Sequence, residues 1–160
     1  MPWLSEVIAL CREFGEYLGY CFQIKDDIFD YFKEANIGKP TGNDIREGKV
    51  TLPLLYALRQ GREEEAARYL DMILRKDFAA ENVDSLIEFA KANGGIEYAE
   101  ARMKEYHDKA VDVLLRLPES EARISLIQLV VYRIVGGVGI GVVSIVSPLY
   151  ISEVSVAQSR

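Results

Sequence analysis

One long helical pattern runs from Glu6 to Phe32, and three aspartates fall on a single turn near its end. Apolar Ile8, Cys11, Phe14, Leu18, Phe22 and Phe29 recur along it at roughly helical steps. Further helical patterns follow, with no strand-like run and no internal repeat before residue 130, so an all-α fold is expected. Gly15 and Gly19 are four apart in this first helix, a spacing that either lets another helix approach closely or marks two tolerated glycines.

The aspartates stand in the run Asp26-Asp27-Ile28-Phe29-Asp30. At 3.6 residues per turn they crowd one side of one turn. Like charges so placed repel, at a cost of a few tenths of a kcal/mol per pair. A multivalent cation removes that repulsion, and carboxylates without His or Cys suit Mg²⁺, which keeps several waters and bridges to phosphate oxygens. Lys39 in a Gly-Lys-Pro turn and Lys49 in a Gly-Lys turn would then suit a diphosphate. The competing reading is a solvated acidic helix face. Phe22, Ile24, Ile28, Phe29 and Phe32 flank the acids, which places this turn near a core and favours partnered carboxylates.

The loop from Lys33 to Val50 is punctuated by Gly38, Pro40, Gly42 and Gly48. Thr51-Leu52-Pro53 predicts a helix start with a hydroxyl N-cap and a first-turn proline, and that helix ends near Gly61. Helices are expected over Glu63–Lys76, from Asn82 or Asp84 to Gly94-Gly95, over Ile96–Leu117, and from Ser120 onward. Glu63, Glu64 and Glu65 read as a solvated helix start, the lone His107 as a surface residue, and the scattered Tyr and Phe residues as core.

A chain of 160 residues, 49% apolar and 28% charged, is long enough for one domain with a core. A net charge of −6 argues against a nucleic-acid partner. Cys11 and Cys21 form neither a CxxC pair nor a disulfide framework, which fits a reducing, cytoplasmic setting. The first ten residues lack the basic start and cleavage site of a signal peptide.

GYCFQIKDDIFDYF and GKPTGNDIREGKVTLPLLYAL resemble the second aspartate-rich region of trans-prenyl diphosphate synthases, and the likeness runs from about Arg12 to about Tyr132. The resemblance implies the C-terminal half of an isoprenoid-synthase-type helical bundle. It implies that an allylic diphosphate loses pyrophosphate and that the allylic cation is captured by isopentenyl diphosphate. Asp26, Asp27 and Asp30 would bind Mg²⁺ on the allylic diphosphate. Phe22 and Gln23 would lie near the diphosphates and the condensing alkene, Lys39 and Lys49 would hold diphosphate oxygens, and Asp44 would order the loop. Lys25 is expected at the surface or behind the site. Homodimers are usual for that family. The family uses two aspartate-rich motifs and this sequence has one DDxxD, so the chain alone is expected to be inactive.

Composition changes after Tyr132. Residues 134–152 carry no charge, four glycines and Pro148, close to the roughly 20 residues that span a bilayer. Gly137 and Gly141 form a GxxxG pair. The segment from Tyr132 to Ser155 is similar to a stretch of sugar porters of the major facilitator family, with Arg133 and Glu153 in the places of its charged networks. The expected organisation is therefore a partial synthase domain over 1–132 joined to a transporter-like tail over 133–160. The alternatives are a membrane-associated fragment led by 134–152, an apolar helix covering a soluble bundle, or a non-catalytic helical partner of a separately encoded front half.

Overall fold

The structure, a computed structural model, describes residues 2–32 and 41–135. All regular structure among the described residues is helical: α1 (Pro2–Phe29), α2 (Asn43–Arg46), α3 (Leu52–Gln60), α4 (Glu63–Leu74), α5 (Ala80–Ala92), α6 (Gly95–Arg116) and α7 (Glu121–Val135). The chain divides into two units, Met1–Leu117 and Pro118–Arg160.

In the first unit α1 lies along α6. The face of α1 turned inward carries Leu10, Cys21, Ile24 and Ile28. Small Ala99 and Ala110, with Val113 and Leu114, form the buried side of α6. Tyr20 tilts onto Tyr106 at 4.9 Å between ring centres, and the Cys21 thiol donates to the Met103 carbonyl at 3.4 Å. The apolar set that dominates the sequence periodicity of α1 does not form this face. Ile8, Cys11, Phe22 and Phe29 are exposed, on the opposite side of the helix.

Helix α3 packs on α4, α5 and α6. Gly94 takes a left-handed conformation (φ 73°) that separates α5 from α6. Gly95, the first residue of α6, lies against the Pro53 carbonyl of α3, with no room for a Cβ. Tyr56 and Tyr98 stack at 4.1 Å across the same contact. Thr51 precedes α3 as expected, but its hydroxyl makes no capping bond. That hydroxyl is instead 2.9 Å from the buried Tyr31 phenol. Helix α5 opens at Ala80, ahead of the expected Asn82 or Asp84. Helix α4 stops at Leu74, short of the expected Lys76, which is left-handed at φ 57°.

Two further expectations are corrected. His107 is not a surface residue, since its side chain is only 12% exposed. Its Nδ1 lies 3.0 Å from the neighbouring Asp108 carboxylate, and residues 103, 107, 110 and 114 recur at helical steps along one stripe, which includes buried Ala110 and Leu114. The aromatic residues are not all core: Tyr31, Tyr69 and Phe89 are buried, but Tyr20, Phe22, Phe29 and Phe32 are exposed.

In the second unit Ser120 caps α7, its hydroxyl accepting the Arg123 N–H at 3.1 Å. An Arg123–Glu119 ion pair spans the same turn. The Arg133 side chain, the rest of the apolar tail and Glu153 lie outside the described residues, as does Lys39. Among the described residues no helix is long and apolar enough to cross a membrane.

Candidate metal and diphosphate site

The acidic turn closes α1, and each of its three aspartates meets a different environment. Asp26 is exposed. Asp27 is buried, 8% exposed, where α1 meets the start of α3. The Gln23 side-chain amide donates to Asp27 Oδ1 at 2.9 Å, and the Leu52 backbone N–H donates to the same carboxylate. Burial pushes the Asp27 pKa above the usual aspartate value. The two donated hydrogen bonds pull it back down, while the nearby Asp44 and Asp26 carboxylates push it up.

Asp30 is occupied by backbone. Its Oδ1 accepts the Asn43 N–H at 2.9 Å and its Oδ2 accepts the Asp44 N–H at 3.0 Å. Its own carbonyl accepts the Gly42 N–H at 2.9 Å. Asp30 thus anchors α2 and with it the point where the chain returns at residue 42. Gly42 is left-handed (φ 75°) and tucked against Val83 and Ile87, so a side chain there would be strained and crowded. Asp30→Ala should leave two helix-start N–H groups without their carboxylate, at about 1–2 kcal/mol. Hydrogen exchange at Asn43 and Asp44 should accelerate selectively in that variant.

The expected shared centre of three carboxylates is not assembled. Among the described residues no group of three or more His, Cys, Asp or Glu side chains is placed to hold a metal ion. The helical spacing does put the acids on one side of the turn, but Asp27 turns inward and both Asp30 oxygens are engaged. Asp26 and Asp27 are neighbours near the end of α1, the first exposed and the second buried.

Lys49 follows α2 and is exposed. It pairs with Asp44 at 2.9 Å and Glu47 at 2.7 Å. These partners, Glu47 first, raise its pKa, so it is a full cation at neutral pH. Asp44 is bound into the loop twice more, through its N–H to Asp30 and its carbonyl to the Lys49 N–H at 2.8 Å. Phe22 is exposed on the outer side of α1. Lys25 is half-buried, 5.5 Å from the centre of the Phe29 ring. Sequence reasoning missed the Leu52 N–H, the Glu47 partner and the Tyr31–Thr51 bond. Burial pushes the Tyr31 phenol up to about 12, so it stays protonated in that bond. Only Glu47 had a sequence signal, an acid two residues before Lys49 in the same turn.

The raised Asp27 pKa makes stability pH-dependent. Between the ordinary aspartate value, about 4, and the raised one, the folded chain keeps a proton that the unfolded chain has lost. Stability should therefore fall as pH rises through that window and stay lowered above it. Asp27→Asn keeps one acceptor oxygen and removes the charge, so urea denaturation across this range should show a flatter profile.

The family model described as Polyprenyl synthetase matches residues 4–90, more than half of the chain. The chain belongs to the polyprenyl synthetase family. It is 40% identical over 119 residues to octaprenyl diphosphate synthase of Haemophilus influenzae, covering 74% of this chain and 36% of that protein. Geranylgeranyl pyrophosphate synthase of Bacteroides thetaiotaomicron has a solved structure that aligns with a TM-score of 0.72 at 43% identity, over 81% of this chain and 42% of that one. Polyprenyl synthase of Caulobacter crescentus, solved with calcium and isoprenyl diphosphate, aligns with a TM-score of 0.69 at 31% identity, over 79% and 39% of the two chains. This polyprenyl synthetase family member thus spans a little over a third of the length of the curated relatives it matches. A second model, described as Sugar (and other) transporter, matches residues 112–160.

Proposed function

We propose that this chain supplies one wall of a prenyl diphosphate synthase site, the wall that holds magnesium and the diphosphate of an allylic substrate. The observation that carries the reading is Asp27, a buried carboxylate with a raised pKa beside exposed Asp26. A buried acid flanked by like charges is poised for a counter-cation. The donor set fits Mg²⁺, which needs only one or two carboxylates together with water and phosphate oxygens. Asp26 and Asp27 would hold it, and the ion would supply electrostatic stabilisation of a departing pyrophosphate.

The chain's own groups have separable tasks. Gln23 and the Leu52 N–H fix the Asp27 carboxylate. Asp30 contributes by holding α2 and Asp44 in place. Lys49 is tethered only by exposed pairs, which are worth about 0–1 kcal/mol each, so it can turn to a phosphate oxygen at little cost. Lys39 is proposed as a second diphosphate contact, and Phe22 and Gln23 as neighbours of isopentenyl diphosphate. The 160 residues alone carry one aspartate-rich motif and are proposed to bind without turning over.

Purified protein should melt at higher temperature with Mg²⁺ and pyrophosphate together than with either alone. Lys49→Ala should leave the unliganded melting temperature within a degree or so and shrink the shift. An undiminished shift in that variant would remove Lys49 from the site.

For residues 133–160 a separate origin is proposed, a transporter-like segment joined to a cytoplasmic synthase domain over 1–132. The match of residues 112–160 to the transporter model favours it. Detergent-free fractionation tests membrane association, which requires the chain to sediment with membranes.

A further inference from the structure

We infer that Tyr31 is a positioning residue for the diphosphate wall: its phenol fixes the first turn of α3 and thereby holds the Leu52 N–H on the Asp27 carboxylate. The inference rests on the diphosphate reading and carries it one residue deeper into the fold. Its basis is how the start of α3 is capped. The first residues of a helix have no intrahelical acceptor for their N–H groups. In α3 the first three are Leu52, Pro53 and Leu54, and proline has no N–H. Two donors remain, and the end of α1 takes both. Leu52 donates to Asp27, and Leu54 donates to the Tyr31 phenol oxygen. The regular ladder begins with the Leu55 N–H on the Thr51 carbonyl, at 2.9 Å. Thr51, in the N-cap position, makes no side-chain cap of its own. Its hydroxyl shares a 2.9 Å bond with Tyr31, in which either oxygen can donate. The phenol therefore grips α3 at Thr51 and at Leu54, on either side of the Leu52-Pro53 step.

The backbone delivers Tyr31 to this place. After α1 the chain tightens, with the Tyr31 N–H on the Ile28 carbonyl and the Phe32 N–H on the Phe29 carbonyl at 3.0 and 3.1 Å. Tyr31 is 1% exposed, and its ring belongs to the core with Ile28, Ile45 and Leu54. Packing uses the ring and has no need of the hydroxyl. Leu54 is itself fully buried, so without the phenol its N–H would be stranded. The first turn of α3 is thus set by Gly95 of α6 against the Pro53 carbonyl and by Tyr31 and Asp27 of α1. A carboxylate already held in one orientation meets a cation without having to be ordered by it, which favours binding. Loss of the phenol would free the Leu52 N–H to drift, and Asp27 would lose one of the two donors that hold it.

Tyr31→Phe in the full 160-residue chain removes the hydroxyl and keeps the ring. Its melting temperature should fall by about 3–8 °C, from the stranded Leu54 N–H. Val113→Ala is the control, a cavity variant with a melting loss of similar size. Val113 is buried at the other end of the α1–α6 pair, three residues before the Arg116–Glu13 ion pair. In the ligand-free protein, amide exchange at Leu52 and Leu54 should accelerate in Tyr31→Phe by about fivefold or more beyond the control. By titration calorimetry, the Kd for pyrophosphate in saturating Mg²⁺ should rise about three- to tenfold in Tyr31→Phe and keep its wild-type value in Val113→Ala. Thr51→Val should reproduce both effects in part, and Thr51→Ser, which keeps the hydroxyl, should show neither. Tyr31→Phe with a wild-type Kd would overturn the inference, as would Leu52 exchange no faster than in the control. Equal Kd losses in Tyr31→Phe and Val113→Ala would overturn it too, leaving the phenol a stability element only. Should Tyr31→Phe fail to fold, Thr51→Val against Thr51→Ser decides by the same two readouts. Failure of the wild-type chain to bind Mg²⁺ and pyrophosphate would count against the diphosphate reading, while the exchange rates would still decide whether Tyr31 holds Leu52.

Discussion

Gly95→Ala is expected to cost about 3 kcal/mol of folding stability, the upper end of ordinary overpacking. The substitution looks harmless in isolation, since alanine in a helix is worth about 0.5–1 kcal/mol more than glycine. The site decides otherwise. The added methyl would overlap the Pro53 carbonyl and stand 2.8 Å from the Ala90 carbonyl oxygen. Both obstacles are backbone, so no side-chain rotation relieves them. The first turns of α3 and α6 would have to separate, loosening the Tyr56–Tyr98 stack and the site's Leu52 N–H. At about 2–4 °C per kcal/mol, the melting temperature should fall by about 10 °C. Gly15→Ala is the matched control, in open space, and should stabilise by about 0.5–1 kcal/mol. Thermal denaturation by circular dichroism measures both. A Gly95→Ala protein as stable as wild type would show that α3 and α6 do not meet so closely.

Helix order was readable because local signals mark most of the boundaries. Gly61, Gly94-Gly95 and Pro118 end or separate helices, and Ser120 caps one, as their chemistry directs. Where the ends moved, the cause is tertiary. Thr51 gives its hydroxyl to Tyr31, a partner twenty positions away, rather than to its own helix. The face of α1 was the larger difficulty. Its strongest apolar periodicity, Ile8 to Phe29, is the exposed stripe, because periodicity reports that a face is meant to be covered and not by what. The buried stripe of Leu10, Cys21, Ile24 and Ile28 is interrupted by half-buried Glu13 and Tyr17 and is weaker to the eye. His107 was misplaced for a similar reason: its neighbours' charge was weighed above its register with Ala110 and Leu114.

The candidate site was legible in kind but not in detail. Acid spacing located the turn on α1 and the glycine-lysine turn located Lys49. Spacing could not distinguish the three carboxylates, because it is the return of the chain at residues 42–44 and 51–52 that separates their roles. Asp30 meets the α2 N–H groups and Asp27 meets Leu52, both contacts between elements distant in sequence.

The second large effect concerns ligand. With Mg²⁺ and pyrophosphate at about a hundred times their dissociation constant, wild type should gain about 2.7 kcal/mol. For a chain of this size that is about 5–10 °C in melting temperature. Asp27→Asn should abolish the gain, since the neutral amide is a poor ligand for a hard cation. Without ligand the same variant should be as stable as wild type or more so at neutral pH, because it removes a charge that burial disfavours. This opposition separates a binding role from a folding role. Asp26→Ala, at an exposed position, should reduce the ligand gain with little change in the free protein. A variant that lost stability and ligand response together would leave Asp27 a packing residue.

The account stands most directly on where the cation binds. Mn²⁺ can replace Mg²⁺ in the presence of pyrophosphate, and its paramagnetism broadens nearby resonances. The account predicts selective loss of the Gln23 side-chain amide and the Leu52 backbone amide, suppressed in Asp27→Asn. Broadening centred instead on the Glu63–Glu65 start of α4, or spread evenly over the acidic surface, would contradict it.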